Sequence, residues 1–427
     1  MRARATPSRG SLASDMSPSR NPVRELISVQ EARDDVLRAC RVGPVESVSL
    51  LDAVGRVLRE DAVADSDIPP FDNSAMDGFA VALADFDGDR AELSIVEDLP
   101  AGSWPAKTVG GGACARIMTG APVPDGCDAV APVEWCESIG EVGQTVVITQ
   151  RPVDGQHIRR SGSDIRKGEL ALPAPTAITP LAVGLLASLG YGTVKVSRRP
   201  TVSVVATGDE LVDPSQRPER GQIRNSNGPT LGALVASAGA TLQGLYTARD
   251  EYSDTKQILT EAMEADIVVV SGGVSVGTHD LVKAALDEMG FSRRFWRVRQ
   301  RPGKPLTFGT IGETLVFGLP GNPVSSAVCF REYVRPAIRA MLGLDPGPAH
   351  LKARLTEDID KVSSLHYFVP GRTVADADGL LSVGRSGTFG SHIFSSLAVA
   401  DCIISIPEGP ETVRSGSLVD VELLDEL

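Results

Sequence analysis

Two glycine-rich turns, a run of arginines and a few isolated carboxylates are the residues of this chain whose types and spacing could do chemistry. Residues 271 to 280, Ser-Gly-Gly-Val-Ser-Val-Gly-Thr-His-Asp, leave the run Asp266 to Val270, which predicts a buried parallel strand. Such a turn lets backbone amides approach an anion, and Thr278 to Met289 predicts a helix whose N-terminal amides would face the same place. Asp280 adds a carboxylate, which fits a metal held together with a phosphate. An ordinary strand-to-helix turn is the plain alternative. Gly318 to Pro323 follows the strand Leu315 to Phe317, and Asn322 before Pro323 suits the cap and first position of a helix. This second anion-accepting turn would share with the first the carboxyl edge of a sheet, where open α/β folds bind ligands.

Between the turns stand Arg293, Arg294, Arg297, Arg299, Arg301 and Lys304. An extended segment would place Arg297, Arg299 and Arg301 on one face, and guanidinium forks suit phosphate or another oxyanion. A solvated edge strand guarded by charge would carry the same pattern. Lys304, constrained between Gly303 and Pro305, is the better single candidate. Thr207 to Leu211 ends another strand and puts Asp209 and Glu210 at the same edge, and Asp250 follows the next strand. Strand-end carboxylates can hold magnesium with water completing its shell, or merely cap helices. Pro69 to Ala80 packs Asp72, Asn73, Ser74 and Asp77 into a turn-rich loop, either a local hydrogen-bonded network or a ligand loop. Ile158 to Asp164 is a shorter version with basic residues attached.

Several chemistries are excluded. Gly272 to Gly277 has GxxxxG spacing, but Thr278 and His279 stand where a phosphate-binding loop needs Lys-Ser/Thr, and no GxGxxG leaves a strand. Five histidines without HExxH spacing argue against a zinc hydrolase. Six cysteines without a CxxC pair argue against a zinc ribbon or disulfide framework and point to a reduced, cytoplasmic compartment. A formal net charge of -13 disfavours generic binding to nucleic acid or anionic lipid, so an anionic ligand needs a local basic patch. No apolar run approaches the roughly 20 residues that cross a bilayer.

The elements that must position these residues follow from periodicity. At 427 residues, several domains are expected. Residues 1–21, rich in Arg, Ser and Pro, predict a disordered tail without a secretory signal, and Met16 is an alternative start. Ser28 and Glu31 form a capping box for a helix from about 29 to 42. Short Val- and Ile-containing runs between Gly, Pro and Asp make 44–175 mostly β. Thr179, Pro180 and Gly190 frame a short apolar helix. Beyond Pro200, strands at 201–206, 241–246, 266–271 and 314–318 alternate with helices at 228–239, 254–265, 278–289 and 323–341, the pattern of a three-layer α/β domain. Short strands after Pro348 predict a small β-barrel or sandwich.

Seven ordered motifs give these residues a context: Asp72 to Gly78, Met118 to Pro122, Thr207 to Glu210, Ser271 to Gly277, Pro302 to Pro305, Gly318 to Ser325 and Gly390 to Phe394. Together they resemble the molybdopterin molybdenumtransferases of molybdenum cofactor biosynthesis, and the E domain of gephyrin is similar. The resemblance covers roughly residues 22–427. It implies a linking domain from 22–65 plus 168–198, a β-rich domain at 66–167, a molybdopterin-binding α/β domain at 199–345 and a β-barrel at 346–427. It further implies insertion of molybdate into adenylyl-molybdopterin with release of AMP, magnesium as the metal, and an elongated homodimer whose catalytic faces span the subunit boundary.

By the same resemblance, Glu210, Asp250 and Asp280 would hold the metal-bound nucleotide. Asp77, Thr119 and Asp164 would complete the cleft from a partner subunit. Ser271, Gly272, Gly273, Ser275 and Gly277 would cradle phosphates. Arg301, Lys304, Ser325 and the turn Pro320, Gly321, Asn322 and Pro323 would line the molybdate pocket. Two departures stand out: Arg301 where many relatives carry lysine, and Pro370 where the family often has an arginine, which leaves Arg372 as an uncertain substitute. A molybdopterin adenylyltransferase, itself a natural pathway partner, and a non-catalytic scaffold or degenerate paralogue are the alternative readings.

Overall fold

The computed structural model describes residues 24–273, 281–347, 350–375 and 379–424. Two compact units emerge, one built from residues up to 42 with 199–341 and 345–427, the other from 43–198 with 342–344.

The first unit holds a seven-stranded sheet. Its elements in chain order are β1 (Arg24–Ile27), α1 (Val29–Ala39), β2 (Thr201–Thr207), α2 (Asn227–Ser237), β3 (Thr241–Ala248), α3 (Tyr252–Ala262), β4 (Ile267–Ser271), α4 (Leu281–Glu288), β5 (Ser292–Val298), β6 (Thr307–Ile311), β7 (Thr314–Leu319), α5 (Pro323–Cys329) and α6 (Arg335–Leu342). The strand order is β1-β5-β6-β7-β4-β2-β3. β7, β4, β2 and β3 run parallel, whereas β5 and β6 pair antiparallel as an extension that alternating strand and helix did not announce. Valines 268 to 270 in β4 are wholly buried, as a strand covered on both faces requires. Helices α3 and α4 cover one side through Leu259, Ala262, Ala285 and Leu286.

Ser28 accepts from the Glu31 N–H while Glu31 returns to the Ser28 N–H, so the capping box starts α1. The segment before it differs from expectation. The resemblance places 22–42 in the linking domain, whereas β1 pairs parallel with β5 and adds a strand to the α/β sheet. The helix expected at 323–341 is also interrupted: a π-helical turn at Phe330–Val334 separates α5 from α6.

After the sheet come β8 (His350–Leu355), β9 (His366–Ala375), β10 (Leu381–Arg385), β11 (Cys402–Ile406) and β12 (Leu418–Leu423). The circuit β9-β10-β8-β12-β11 returns to β9, closing a five-stranded barrel around Val369, Val383, Ile404 and Val421. Gln300 and Arg301 pair with β9 at His366 and Tyr367, which fastens the barrel to the end of the arginine-rich segment.

In the second unit, strands Thr145–Ile148, Ala91–Leu99, Ala113–Ile117, Gly78–Val81 and Ala129–Pro132 form a five-stranded sheet. A four-stranded sheet packs its Leu58, Val194 and Val196 with Leu186 of the helix Pro180–Ser188. That helix starts with Thr179 capping Ala182 and stops before Gly190 at φ 86°. No helix of the described residues is long and apolar enough to cross a membrane.

Candidate active site

Strand order reverses at β2, with β3 on one side and β4 on the other, so the loops leaving their carboxyl ends diverge and open a crevice. Its cavity of 670 Å³ is bordered by the ends of β2, β3 and β4 and the turn after β7. Gly272 and Gly273 adopt φ of 96° and 62°, the left-handed region that glycine enters without penalty. A Cβ at Gly272 would stand 2.8 Å from Thr207 Oγ1 and 2.9 Å from its carbonyl oxygen. At Gly321 the nearest atom to such a Cβ is the Gly272 Cα, 3.8 Å away, so the two turns meet backbone to backbone. Asn227 ties them: its Nδ2 donates to Ser271 Oγ at 2.9 Å and to the Gly321 carbonyl at 2.8 Å.

Charged residues lining this crevice are Glu210, Asp250 and Arg224. The Asp250 N–H donates to Asp209 Oδ1 at 3.0 Å, which fastens the end of β3 to the loop after β2. Magnesium keeps much of its water and takes one or two carboxylates plus phosphate oxygens, and Glu210 and Asp250 are the carboxylates this crevice has available for such an ion. Among the described residues, no three His, Cys, Asp or Glu side chains gather to cage a metal unaided.

A second cavity of 270 Å³ lies alongside, lined by Arg301, Lys304, Pro320, Asn322 and Ser325 and, from the barrel, by Leu365, Phe389 and Ser391. Both of its charged residues are cationic, which suits a small oxyanion. Asn322 borders both cavities. Its side chain does not cap α5, as its position before Pro323 suggested; Nδ2 donates to Ser391 Oγ at 3.2 Å, reaching the barrel instead.

The Arg301 to Lys304 turn rests on a buried network. Gln300 Nε2 donates to the Pro302 carbonyl at 3.1 Å and to Cys329 Sγ at 3.4 Å, and Gln300 Oε1 accepts from the Tyr333 hydroxyl. Gly303, at φ 92°, sits where a Cβ would collide with Cys329 Sγ and Gln300 Nε2. Burial pushes the Tyr333 hydroxyl and the Cys329 thiol well up, so both keep their protons as donors. Tyr333 belongs to the π-helical turn, whose Glu332 accepts from Arg33 of α1 and whose Arg331 donates to Glu422 of the barrel at 2.9 Å. Burial pushes the Glu332 carboxyl up while the Arg33 guanidinium pulls it back.

In the other unit, three loops are stitched together. Thr119 donates from both its N–H and its hydroxyl to Asp77 Oδ1 at 2.7 Å, which holds that exposed carboxyl below its ordinary range. Ser74 and Ala121 join through the backbone at 3.0 Å, and the Asp164 N–H donates to the Ile68 carbonyl at 3.0 Å. Arg160 reaches Asp72 at 2.6 Å. The Asp72 to Gly78 loop is therefore a hydrogen-bonded network that also presents Asp77, Thr119 and Asp164 to solvent.

Most expected site residues fall into three groups: Ser271, Gly272, Gly273, Glu210, Asp250, Gly321, Asn322 and Pro323 at the crevice, Arg301, Lys304, Pro320 and Ser325 at the cationic pocket, and Asp77, Thr119 and Asp164 in the second unit. Ser275, Gly277 and Asp280 lie outside the described residues. The single arginine face does not form. Arg297 takes φ 66° and stacks 4.0 Å over Trp296, breaking the alternation, and Arg299 turns to the Leu26 carbonyl at 2.9 Å. Of the three, Arg301 is the one that lines the cationic pocket. Pro370 is buried against Ile403 and Arg372 is exposed on β9 away from the pocket lining. Asn227, Gln300 and Phe389 are not among the residues expected at the site, and Ser391, inside the Gly390 to Phe394 motif, has no role assigned there. The Asn-Ser-Asn-Gly run at 225–228 was the signal for Asn227, whereas nothing local marks Gln300.

Residues 27–190 match the MoeA N-terminal region (domain I and II), 203–340 a probable molybdopterin binding domain, and 352–424 the MoeA C-terminal region (domain IV). A molybdopterin molybdenumtransferase of Haemophilus influenzae is 34% identical over 411 residues, spanning 94% of this chain and 100% of that protein. Molybdopterin molybdenumtransferase 2 of Mycobacterium tuberculosis is 38% identical over 408 residues, covering 92% and 98% respectively. The crystal structure of a molybdopterin biosynthesis moeA protein from Pyrococcus horikoshii superposes with a TM-score of 0.78 at 31% identity, over 93% of this chain and 100% of that one. The three matched regions in order, and relatives aligned almost end to end, place this chain in the molybdopterin molybdenumtransferase family.

Proposed function

We propose that the chain inserts molybdate into adenylyl-molybdopterin and releases AMP by hydrolysis of the phosphoanhydride, forming molybdenum cofactor. One observation carries this reading: Asn322 is a wall shared by a carboxylate-bearing crevice and a purely cationic pocket, so a metal-bound phosphate and a small oxyanion can lie side by side. Glu210 and Asp250, with Asp280, hold magnesium, which when bound offsets charge on the phosphate. Ser271, Gly272 and Gly273 bring backbone amides to the phosphates, and Ser275 and Gly277 share that binding role. Arg301 and Lys304 draw in molybdate and orient it, with Ser325 and the Pro320 to Pro323 turn closing the pocket. Positioning and fixed charge are all this requires, with no covalent role for a side chain.

The enzyme acts in the cytoplasm as a homodimer, and Asp77, Thr119 and Asp164 reach the crevice from a second copy. A molybdopterin adenylyltransferase supplies the substrate. In the decisive measurement, AMP release from adenylyl-molybdopterin rises with molybdate and disappears with Asp250→Ala or on magnesium removal. Consumption of ATP with molybdopterin would point instead to adenylyl transfer, and no release under any condition to a scaffold. Mixing Asp77→Ala with Asp250→Ala protein tests the shared site: random heterodimers with one intact site restore roughly a quarter of the activity, and no recovery rejects it.

A further inference from the structure

We infer that Tyr367 and Phe389 form an aromatic floor through which the C-terminal barrel orients Arg301, making them positioning residues for oxyanion capture. Among the described residues the barrel lines this pocket with Leu365, Phe389 and Ser391 and no cation; its Lys361 Nζ lies 5.8 Å from the Tyr367 centroid but is not part of the lining. The barrel offers rings instead. Tyr367 and Phe389 stand 5.9 Å apart, centroid to centroid, and tilt 34° to each other. The Arg301 guanidinium carbon lies 5.6 Å from the first centroid and 5.5 Å from the second, inside the range of cation–π attraction to both. Arg301 Nη1 also donates to the Tyr367 hydroxyl at 3.3 Å.

The floor is itself fixed. Tyr367 follows the His366 register position on β9, where Gln300 and Arg301 pair with the barrel, and its hydroxyl accepts the Val362 N–H at 3.1 Å. Arg301 is exposed, so without a surface to lie on its long side chain would sample many rotamers. Two rings and one hydroxyl narrow that choice and leave the remaining guanidinium N–H groups for an anion. A planar fork can lie flat on rings while pointing its donors sideways, whereas a lysine ammonium has no plane to align. The arginine at position 301 and the rings beneath it therefore act as one device.

This inference rests on the reading of the pocket as the oxyanion site, and a double-mutant cycle separates the two. Molybdate is titrated by calorimetry and in the AMP-release assay with Phe389→Leu, Arg301→Met and the double variant of the full chain. Phe389→Leu is expected to weaken molybdate binding about five- to tenfold with Arg301 present and less than about twofold with Arg301→Met, the rate at saturating molybdate staying within about twofold. Tyr367→Phe, which keeps the ring, should fall between wild type and Phe389→Leu. Equal losses in both backgrounds, or unchanged affinity in Phe389→Leu, overturn the inference. A second readout holds whatever the pocket binds: the Arg301 Nε–H resonance, identified by its loss in Arg301→Met, must shift in Phe389→Leu through the lost ring current. If it does not move, the floor is rejected. Failure of wild-type protein to bind molybdate at all, with that resonance still shifting, rejects the oxyanion reading alone.

Discussion

The carboxylate-bearing crevice and the cationic pocket share a wall but are built by different means. The crevice is framed by main chain: two glycine turns meet backbone to backbone at the ends of parallel strands, with Glu210, Asp250 and Arg224 as its charged side chains and Asn227 as a tie. The pocket is made of side chains delivered from the 300–305 turn, the start of α5 and the barrel, above a buried network reaching the π-helical turn. A backbone site depends on local conformation, and at Gly272 and Gly273 it leaves no room for a Cβ. A side-chain site depends on distant packing and should degrade by degrees.

The sharpest way to break that contrast is Gly272→Ala. Left-handed φ and a Cβ pressed against Thr207 backbone should cost about 100-fold or more in AMP release, with thermal unfolding reporting how much is lost stability. Near-normal turnover would show that the turns are not confined as described. Lys304→Ala should raise half-saturating molybdate about 30-fold while leaving the unfolding temperature nearly unchanged, because the side chain is exposed. Equal effects on stability and affinity would blur the distinction.

Tyr333→Phe probes the pocket from below. It leaves Gln300 Oε1 buried without its donor, which should cost about 1–3 kcal/mol in urea unfolding and raise half-saturating molybdate severalfold, although Tyr333 lines neither cavity. The effect expected to touch turnover least is acid sensitivity on the barrel side. Burial lowers the His366 imidazole to about 4 from 6.5, with Arg33, Lys361 and His350 adding to the effect and Asp420 opposing it. The folded value is depressed, so the unfolded chain takes up the proton first. The stability contribution is complete above about pH 6.5 and is lost as pH falls toward 4, by on the order of 2 kcal/mol. Urea titrations at pH 7 and 4.5 should show this loss, and His366→Phe should flatten it.

Legibility in the sequence followed the same division. Ser28 with Glu31, Thr179 with Pro180, the valines of β4 and the glycine turns all act within a few residues, and each was readable because the physics is local. Arg297 defeated the alternation rule because one left-handed residue rotates the chain, and no pattern of charges reports φ. The cap expected of Asn322 rests on local chemistry, but a hydroxyl about 70 residues onward competes successfully for its amide. Gln300 and Phe389 acquire their roles only through partners distant in sequence.

β1 carries one consequence into the order of events during synthesis. It is among the first strands to be made, but its partner β5 emerges about 270 residues later. Until then its hydrogen-bonding edge has no mate, while the intervening unit of 43–198 can condense on its own core. Closing the sheet at β1 is therefore a late, long-range event, and a nascent chain halted before residue 292 should hold a folded insertion beside an unpaired first strand.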